Sequence, residues 1–411
     1  MEEQAITLND FEDHLIEAQR DCILGFNYAV DERFIERLGL PEDKHGALLS
    51  IIAELLIADE QGKAVSYSRR KAFYCGLKRY CGRSYTYARI LKWVSWLEDA
   101  GYISNWIAPP RPPREGERGT QSTMRATTKL REVCRGLPLK VSQRECLCLN
   151  GLDRKKLDYI ETNETFDMRR EVEEINRHLR NVEFDIMLPG IWRTERHLCI
   201  PHKAPKTGEQ IQLYVPHLEP SVRRVFCRGS FDCGGRLYGA WQNIPKKHRP
   251  LVTINGEPTV EPDYPSLHAR LAYALTGSPL RINDDPYDVG GGFSRQEGKY
   301  ALLISFNARN ERSAICSIAQ KLSLSHARAA SLYQQVITHN WQINGFLSKD
   351  KGIELQKIDS DIAIKVIRAC LNDGIPVLPV HDSFIVPERA ESLTREHMGR
   401  ALKWAVDHSP Y

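Results

Sequence analysis

The stretch TVEPDYPSLHARLAYALTG, residues 259–277, reads as a short strand that ends on a carboxylate and turns through a proline into a helix. Val260 to Asp263 is the strand, and Leu267 to Leu275 is the helix, entered through Pro265, whose fixed φ suits a helix start. An acid at a strand end is held rigidly and can face a cleft. A second stretch, GIPVLPVHDSFIVPE, residues 374–388, carries another. Pro376 to Val380 and Phe384 to Val386 read as paired strands, with His381 and Asp382 at the tip of a tight hairpin. Two acids on separate, rigid strand ends suit two-metal catalysis, in which cations about 4 Å apart clamp the attacking and leaving oxygens. Either acid alone has a plainer reading, because an Asp at a turn also caps backbone N–H groups.

Three further stretches fall around this pair. FSRQEGKYALLISFNARN, residues 293–310, places Arg295 and Lys299 four residues apart, on one face of a predicted helix. GGRLYGAWQNIPKKHR, residues 234–249, precedes the first acid, and DPYD occupies residues 285–288. Taken in order, these elements resemble family A DNA polymerases. The first stretch is similar to motif A, with Asp263, Tyr264 and Arg270. The stretch with Arg295 and Lys299 resembles motif B, and the hairpin with His381 and Asp382 resembles motif C. The resemblance covers roughly residues 225–390. It implies that Asp263 and Asp382 hold two Mg²⁺ ions, with Mn²⁺ as a substitute, and that His381 lies beside the primer terminus. It also implies that Arg295, Lys299, Tyr264, His268 and Asn307 meet the nucleoside triphosphate, and that Arg236, Gln242, Asn243 and Arg270 contact a DNA primer–template.

The chain departs from that pattern at the sugar. Ser383 stands where motif C usually has Glu, and His-Asp-Ser-Phe is the form of single-subunit, phage-type RNA polymerases. His268 replaces the motif A Glu that excludes a 2′-OH; it is bulky enough to obstruct that hydroxyl, which favours deoxynucleotides. Leu303 and Asn307 replace the Phe and Tyr of motif B. No stretch before residue 200 has the spaced acids of an exonuclease, so proofreading is not expected. The leading expectation is a template-directed DNA polymerase for replication or repair of a plasmid, phage or mobile element. An RNA polymerase or primase using rNTPs, and a replication initiator that binds DNA without polymerising, are the alternatives.

Upstream, HGALLSIIAELLIAD (residues 45–59) reads as a buried helix. Residues 68–81 carry apolar positions at helical spacing between basic ones, Ser84 caps the next helix through YTYARILKWVSWLEDA, and two strands flank the loop APPRPPREGERG (residues 108–119). That order resembles the winged helix-turn-helix modules of plasmid initiators and transcription regulators. The helix from Ser84 to Ala100 would then enter the major groove, presenting Tyr85, Tyr87, Arg89 and Lys92, with Arg83 beside it. From Val65 to Leu97 eight basic residues (Arg69, Arg70, Lys71, Lys78, Arg79, Arg83, Arg89, Lys92) occur with no acid, a footprint suited to phosphates. Met168, Val172, Ile175, Leu179, Val182 and Ile186 recur at intervals of three and four, which predicts one long thumb-like helix.

The expected class is therefore α+β. A winged-helix domain (residues 1–135), a linker and thumb-like region (136–210), and a right-hand core of palm with antiparallel sheet and helical fingers (211–411) make up the 411 residues. Composition narrows the class further. No run approaches the roughly 18 apolar residues of a membrane span. The acidic start MEEQAITLNDFEDH lacks the apolar core of a signal peptide. The 11 scattered cysteines then read as reduced thiols of a cytoplasmic protein, Cys227 and Cys233 being too few for a zinc site.

Overall fold

The computed structural model describes residues 22–40, 46–75, 78–109, 120–142, 145–203, 208–217, 219–278 and 284–408. Their apolar side chains gather in two clusters, one drawn from Leu24 to Leu139 and the other from Cys146 to Ala405.

In the first unit, strands β1 (Cys22–Ile23) and β2 (Tyr28–Val30) and a short helix α1 (Arg33–Arg37) precede α2 (Gly46–Glu60). Helix α2 buries Leu48, Ile51, Ile52, Ala53 and Leu55 among others. A helix apolar on nearly every side must be covered on every side, and α2 forms the middle of this unit. Strand β3 (Val65–Tyr67), α3 (Lys78–Cys81), α4 (Tyr87–Asp99), β4 (Ile103–Trp106), β5 (Ser122–Ala126), α5 (Thr128–Val133) and β6 (Leu139–Val141) follow. The sheet order is β1-β3-β5-β4, antiparallel except for β1 with β3, while β2 pairs with β6. Helix α4 buries Ile90, Trp93, Val94 and Leu97. Its N-cap is Thr86, not Ser84. Tyr85, expected on the surface, is buried, and its hydroxyl donates to the Leu24 carbonyl at 2.8 Å, so it anchors the unit instead of presenting itself. Residues 110–119 of the Pro- and Arg-rich loop lie outside the described residues.

The second unit begins with β7 (Leu147–Leu149) and α6 (Asn163–Leu179), the latter closed by a capping box between Thr162 and Thr165. Met168, Val172, Ile175 and Leu179 are buried as the stripe requires, but the helix stops at Leu179 and Ile186 belongs to a strand. The predicted single long helix is thus a helix and a strand whose apolar residues share the core, because Val182 and Ile186 continue the spacing by coincidence. Strands β8 (Phe184–Ile186), β9 (Trp192–Arg193), β10 (His197–Lys203), β11 (Gln210–Pro216), β12 (Val222–Cys227), β13 (Ser230–Gly239), β14 (Val252–Ile254) and β15 (Glu257–Val260) lead to α7 (Leu267–Leu275). The hairpin of β10 and β11 spans residue 210, the expected edge of the palm. Helices α8 (Arg295–Asn307), α9 (Glu311–Leu322), α10 (His326–His339) and α11 (Gly352–Asn372) follow. Strands β16 (Leu378–Val380) and β17 (Ser383–Pro387) and the helix α12 (Glu391–Asp407) complete the unit.

Two sheets position the site. One runs β16-β17-β15-β14-β8 and is antiparallel throughout; the other runs β13-β12-β7. Helix α11 packs along β13, and α8, α9 and α10 contact one another as a group. The units meet through Tyr80, whose hydroxyl donates to the Leu157 carbonyl at 2.6 Å, and through Arg223, which donates to Asn27 Oδ1 at 3.0 Å. Arg79 also turns inward, bonded to Asp158 at 2.7 Å and to the Tyr159 carbonyl at 2.6 Å, so one member of the basic run serves the joint between units. Among the described residues no helix is long and apolar enough to cross a membrane, and none of the 11 cysteines forms a disulfide.

Candidate active site

Strand β15 leads through Pro262 to Asp263, which stands opposite Ser383 at the start of β17. The Tyr264 N–H donates to the Asp382 carbonyl at 3.3 Å, and the Phe384 N–H donates to the Pro262 carbonyl at 3.0 Å. The two acids, far apart in sequence, therefore occupy adjoining backbone positions at the end of one sheet. Val380 pairs with Ser383, so His381 and Asp382 form a two-residue hairpin turn. Such turns need positive φ at the first central position and ordinarily use Gly or Asn there. His381 takes φ of 58° instead. A non-glycine residue held in that region costs about 1–3 kcal/mol and marks sites where the side chain is wanted. Ser266, between Asp263 and α7, also has positive φ, at 57°. The His381 ring meets the edge of Tyr238, centroids 5.7 Å apart.

Asp263 is exposed and Asp382 half-buried. Burial pushes the Asp382 carboxyl above the usual carboxylate range, and the nearby Asp359 adds to this, against the pull of Arg236 and His268. Asp359 lies on α11 at 1 % exposure. Arg236 on β13 donates to its Oδ2 from Nε at 3.0 Å and from Nη2 at 2.7 Å, and His268 Nε2 lies 3.5 Å from the same oxygen. Burial opposes ionisation of Asp359, but the Arg236 guanidinium and the His268 imidazole outweigh it and hold its carboxyl well below the usual range. Two residues further on, Asp361 pairs with the buried Arg224, which also donates to Ser360 Oγ at 3.1 Å and to the Gly235 carbonyl at 3.0 Å. Two arginine–aspartate pairs thus pin α11 to the hairpin of β12 and β13. The sequence reading missed both. The available signal is the row Leu355, Asp359, Ala363, Ile367, spaced by four, in which an acid occupies a buried apolar stripe.

Helix α8 is opened by a capping box between Ser294 and Glu297. Arg295 is exposed and Lys299 half-buried. Both guard the ring of Tyr287, at 5.3 and 5.9 Å, and Arg295 also pairs with Asp285, so the DPYD segment and the helix form one wall. Gly298 makes that approach possible: a Cβ there would lie 2.1 Å from the Tyr287 carbonyl oxygen. Gly298→Ala is therefore expected to push α8 from residues 285–289. Overpacking of this kind costs about 1–3 kcal/mol, read as a lower denaturation midpoint in urea. At the far end of α8, Asn307 donates to the Leu303 carbonyl at 2.8 Å and lies against Gly352. Phe306 meets the His268 ring at 6.5 Å, so His268 sits where α7, α8, α11 and β13 converge.

Two expectations need correction. Tyr264 is buried and donates its hydroxyl to the Met398 carbonyl at 2.6 Å, which makes it an anchor for α12 and turns it away from any nucleotide. Gln242 is buried and spends its amide on the Leu237 and Pro379 carbonyls at 3.0 and 2.9 Å; with Trp241, which donates to the same Pro379 carbonyl, it holds β16 in place instead of facing nucleic acid. Asn243 is exposed, and Arg270 donates to the Pro265 carbonyl at 2.8 Å. Arg83 and Lys92 are exposed on the first unit, with Lys92 over the Trp93 ring at 5.0 Å, while Arg89 donates to the Arg83 carbonyl at 3.3 Å. A cleft of about 940 Å³ runs from His381, Tyr238 and Asn243 to the first unit, where Asn27, Glu54 and Gln61 form the opposite wall.

Among the described residues no three His, Cys, Asp or Glu side chains converge as a metal site. What the site offers is a pair of carboxylates, and that fits a hard divalent cation: Mg²⁺ is ordinarily held by one or two carboxylates, with water and substrate phosphates supplying the rest. Burial first, and the nearby Asp359 second, penalise the charge on Asp382, a penalty that a bound cation would relieve.

No family model and no curated protein matches the chain. Among solved structures, the polymerase domain of Pol1 from M. smegmatis, in complex with DNA primer–template and dNTP, is similar at a TM-score of 0.29 and 15 % identity. The likeness covers 45 % of this chain and 45 % of that one, so less than half of either takes part.

Proposed function

We propose that the protein is a template-directed nucleotidyltransferase, a DNA polymerase of the family A kind without proofreading. One observation carries the reading: Asp263 and Asp382 end adjoining strands of one sheet, with Tyr264 N–H bonded to the Asp382 carbonyl. The motif resemblance supplies the roles of the other residues. Asp263 and Asp382 would hold the divalent cations, which when bound lower the pKa of an attacking hydroxyl and neutralise the leaving pyrophosphate. Arg295 and Lys299, on one face of α8, bind the triphosphate and place it for in-line transfer. His268 lies against the sugar, and Arg236 and Asn243 contact primer and template. His381, in its positive-φ turn, stands at the primer end.

The separation of the two apolar clusters supports a division of the chain between Leu139 and Cys146. The helix–strand–helix–helix–hairpin order of α2, β3, α3, α4, β4 and β5 supports a winged helix in the first unit. Its exposed Arg69, Arg70, Lys71, Lys78, Arg83 and Lys92 would contact DNA through phosphates, a contact that salt weakens. The sequence His381-Asp382-Ser383-Phe384 favours a second reading, an RNA polymerase or primase. A primed DNA template with Mg²⁺ and either dNTPs or rNTPs separates them. Extension with dNTPs that stops on chelation, and is absent from Asp263→Ala, is the expected result. Extension with rNTPs alone assigns the second reading. No extension with either leaves a DNA-binding initiator.

A further inference from the structure

The buried carboxylate of α11 belongs to no motif of the sequence reading, yet it touches two of the residues that reading places at the site. We propose that Asp359 is a positioning residue that fixes His268 against the nucleotide sugar and ties Arg236 to it, so that sugar choice depends on one buried carboxylate. The inference rests on the proposed polymerase reading and names the part of the site that sets its specificity.

The geometry is specific. A single oxygen, Asp359 Oδ2, receives Arg236 Nε and Nη2 and faces His268 Nε2, while Arg236 Nη2 lies 3.5 Å from that same imidazole nitrogen. An imidazole has two side-chain torsions, and without a partner it samples several rotamers. Here one end of the ring is fixed to a carboxylate that itself cannot retreat. Asp361 and Ser360, its neighbours, are locked to Arg224, and Ser360 also bonds the Gly235 carbonyl beside Arg236. The other side of His268 meets Phe306, on the same helix as Arg295 and Lys299. A ring held between the triphosphate helix and the primer-side arginine excludes a 2′-hydroxyl by bulk only while it stays in place. A ring released from Asp359 can swing aside and admit it. Supporting second-layer contacts of this kind commonly decide whether a site is tight enough to discriminate.

The test is sugar discrimination, taken as the ratio of kcat/KM for a dNTP to that for the matching rNTP. It is measured for the full-length wild type, Asp359→Asn, His268→Ala and the double variant. Asp359→Asn is expected to lower the ratio about tenfold, within the range that one misfit group produces in a pocket. His268→Ala is expected to lower it at least as far, and Asp359→Asn added to His268→Ala is expected to change it no further, because the carboxylate acts through the ring. A purely structural role would lower both rates and leave the ratio unchanged. Asp359→Asn leaves Arg236 without its counter-charge and can fail to fold; Arg236→Gln with Asp359→Asn removes both charges and must show the same fall in ratio. A wild-type ratio near one, an unchanged ratio in folded Asp359→Asn or in the paired variant, or independent effects in the double variant with His268→Ala overturns the inference while leaving the polymerase reading intact. A wild type that incorporates neither sugar overturns both.

Discussion

Asp382→Asn is expected to abolish nucleotidyl transfer and at the same time to stabilise the protein. The first effect follows from the loss of one of the two carboxylates proposed to hold the cations. The residual rate should fall by a factor on the order of 10³ or more, about 4 kcal/mol of barrier. The second follows from electrostatics. Burial and Asp359 push the Asp382 carboxyl up, so the folded chain holds its charged form less readily than the unfolded chain does. For an acid whose folded pKa is raised, the native state is favoured at low pH. That advantage is lost as pH rises through the folded value. At neutral pH the charge therefore works against folding, and a neutral amide of the same shape removes the penalty. A gain of ~1 kcal/mol would raise Tm by about 1–2 °C in a chain of this size. The gap between variant and wild type should close as pH falls into the carboxylate range. Mg²⁺ bound at the proposed site of the folded form should raise the Tm of wild type more than that of the variant. A variant that is inactive but less stable than wild type would show that Asp382 braces the hairpin instead of waiting for a cation. Full activity in the variant would remove the metal assignment altogether. Sites built for chemistry ordinarily give up stability in this way.

What the sequence could and could not reveal follows from which contacts are local. The strand–acid–helix order around Asp263 was legible because Pro265 and the apolar run from Leu267 are neighbours in sequence, and the hairpin around Asp382 because its two strands are joined by two residues. The helix expected from Ser84 to Ala100 was legible from its cap and stop residues, and it forms over Tyr87–Asp99. The roles of Tyr264 and Gln242 were misread because a motif records residue type but not the direction of the side chain, and both turn into the core to bond backbone carbonyls. The stripe through Val182 and Ile186 misled because an interval of four is the same number whether the chain is a helix or has turned into a strand. Asp359 was invisible for a different reason. Its partners lie on β13 and α7, and only the docking of α11 against them makes an acid in an apolar row meaningful. The positive φ of His381 likewise leaves no trace in residue type, since His is not the residue such a turn prefers.

The second large effect is expected at α8. Lys299→Ala should lower kcat/KM for the nucleotide by roughly 10²–10³, the usual consequence of removing one preorganised charge from a developing anion. Arg295→Ala should lower it by less. The difference lies in what each cation does before substrate arrives. Arg295 is exposed and paired with Asp285, and a surface pair of that kind is worth only about 0–1 kcal/mol, so a triphosphate can displace it. Lys299 is half-buried over Tyr287, deeper along the helix and closer to where α8 meets α7 and α11. Neither substitution should unfold the protein. Like charges four residues apart on a helix repel by about 0.2–0.5 kcal/mol, so losing one leaves Tm unchanged or slightly higher. Single-turnover extension resolves the two contributions. A loss confined to KM means uniform binding of the triphosphate, and a loss in the chemical rate means charge stabilised in the transition state. The tilt of α8 matters to both, and Gly298, between the two cations, sets that tilt through its contact with Tyr287. If Lys299→Ala extends primers as well as wild type while Asp382→Asn is inactive, the carboxylates act with a triphosphate bound elsewhere, and α8 is a wall of the cleft without a part in the chemistry.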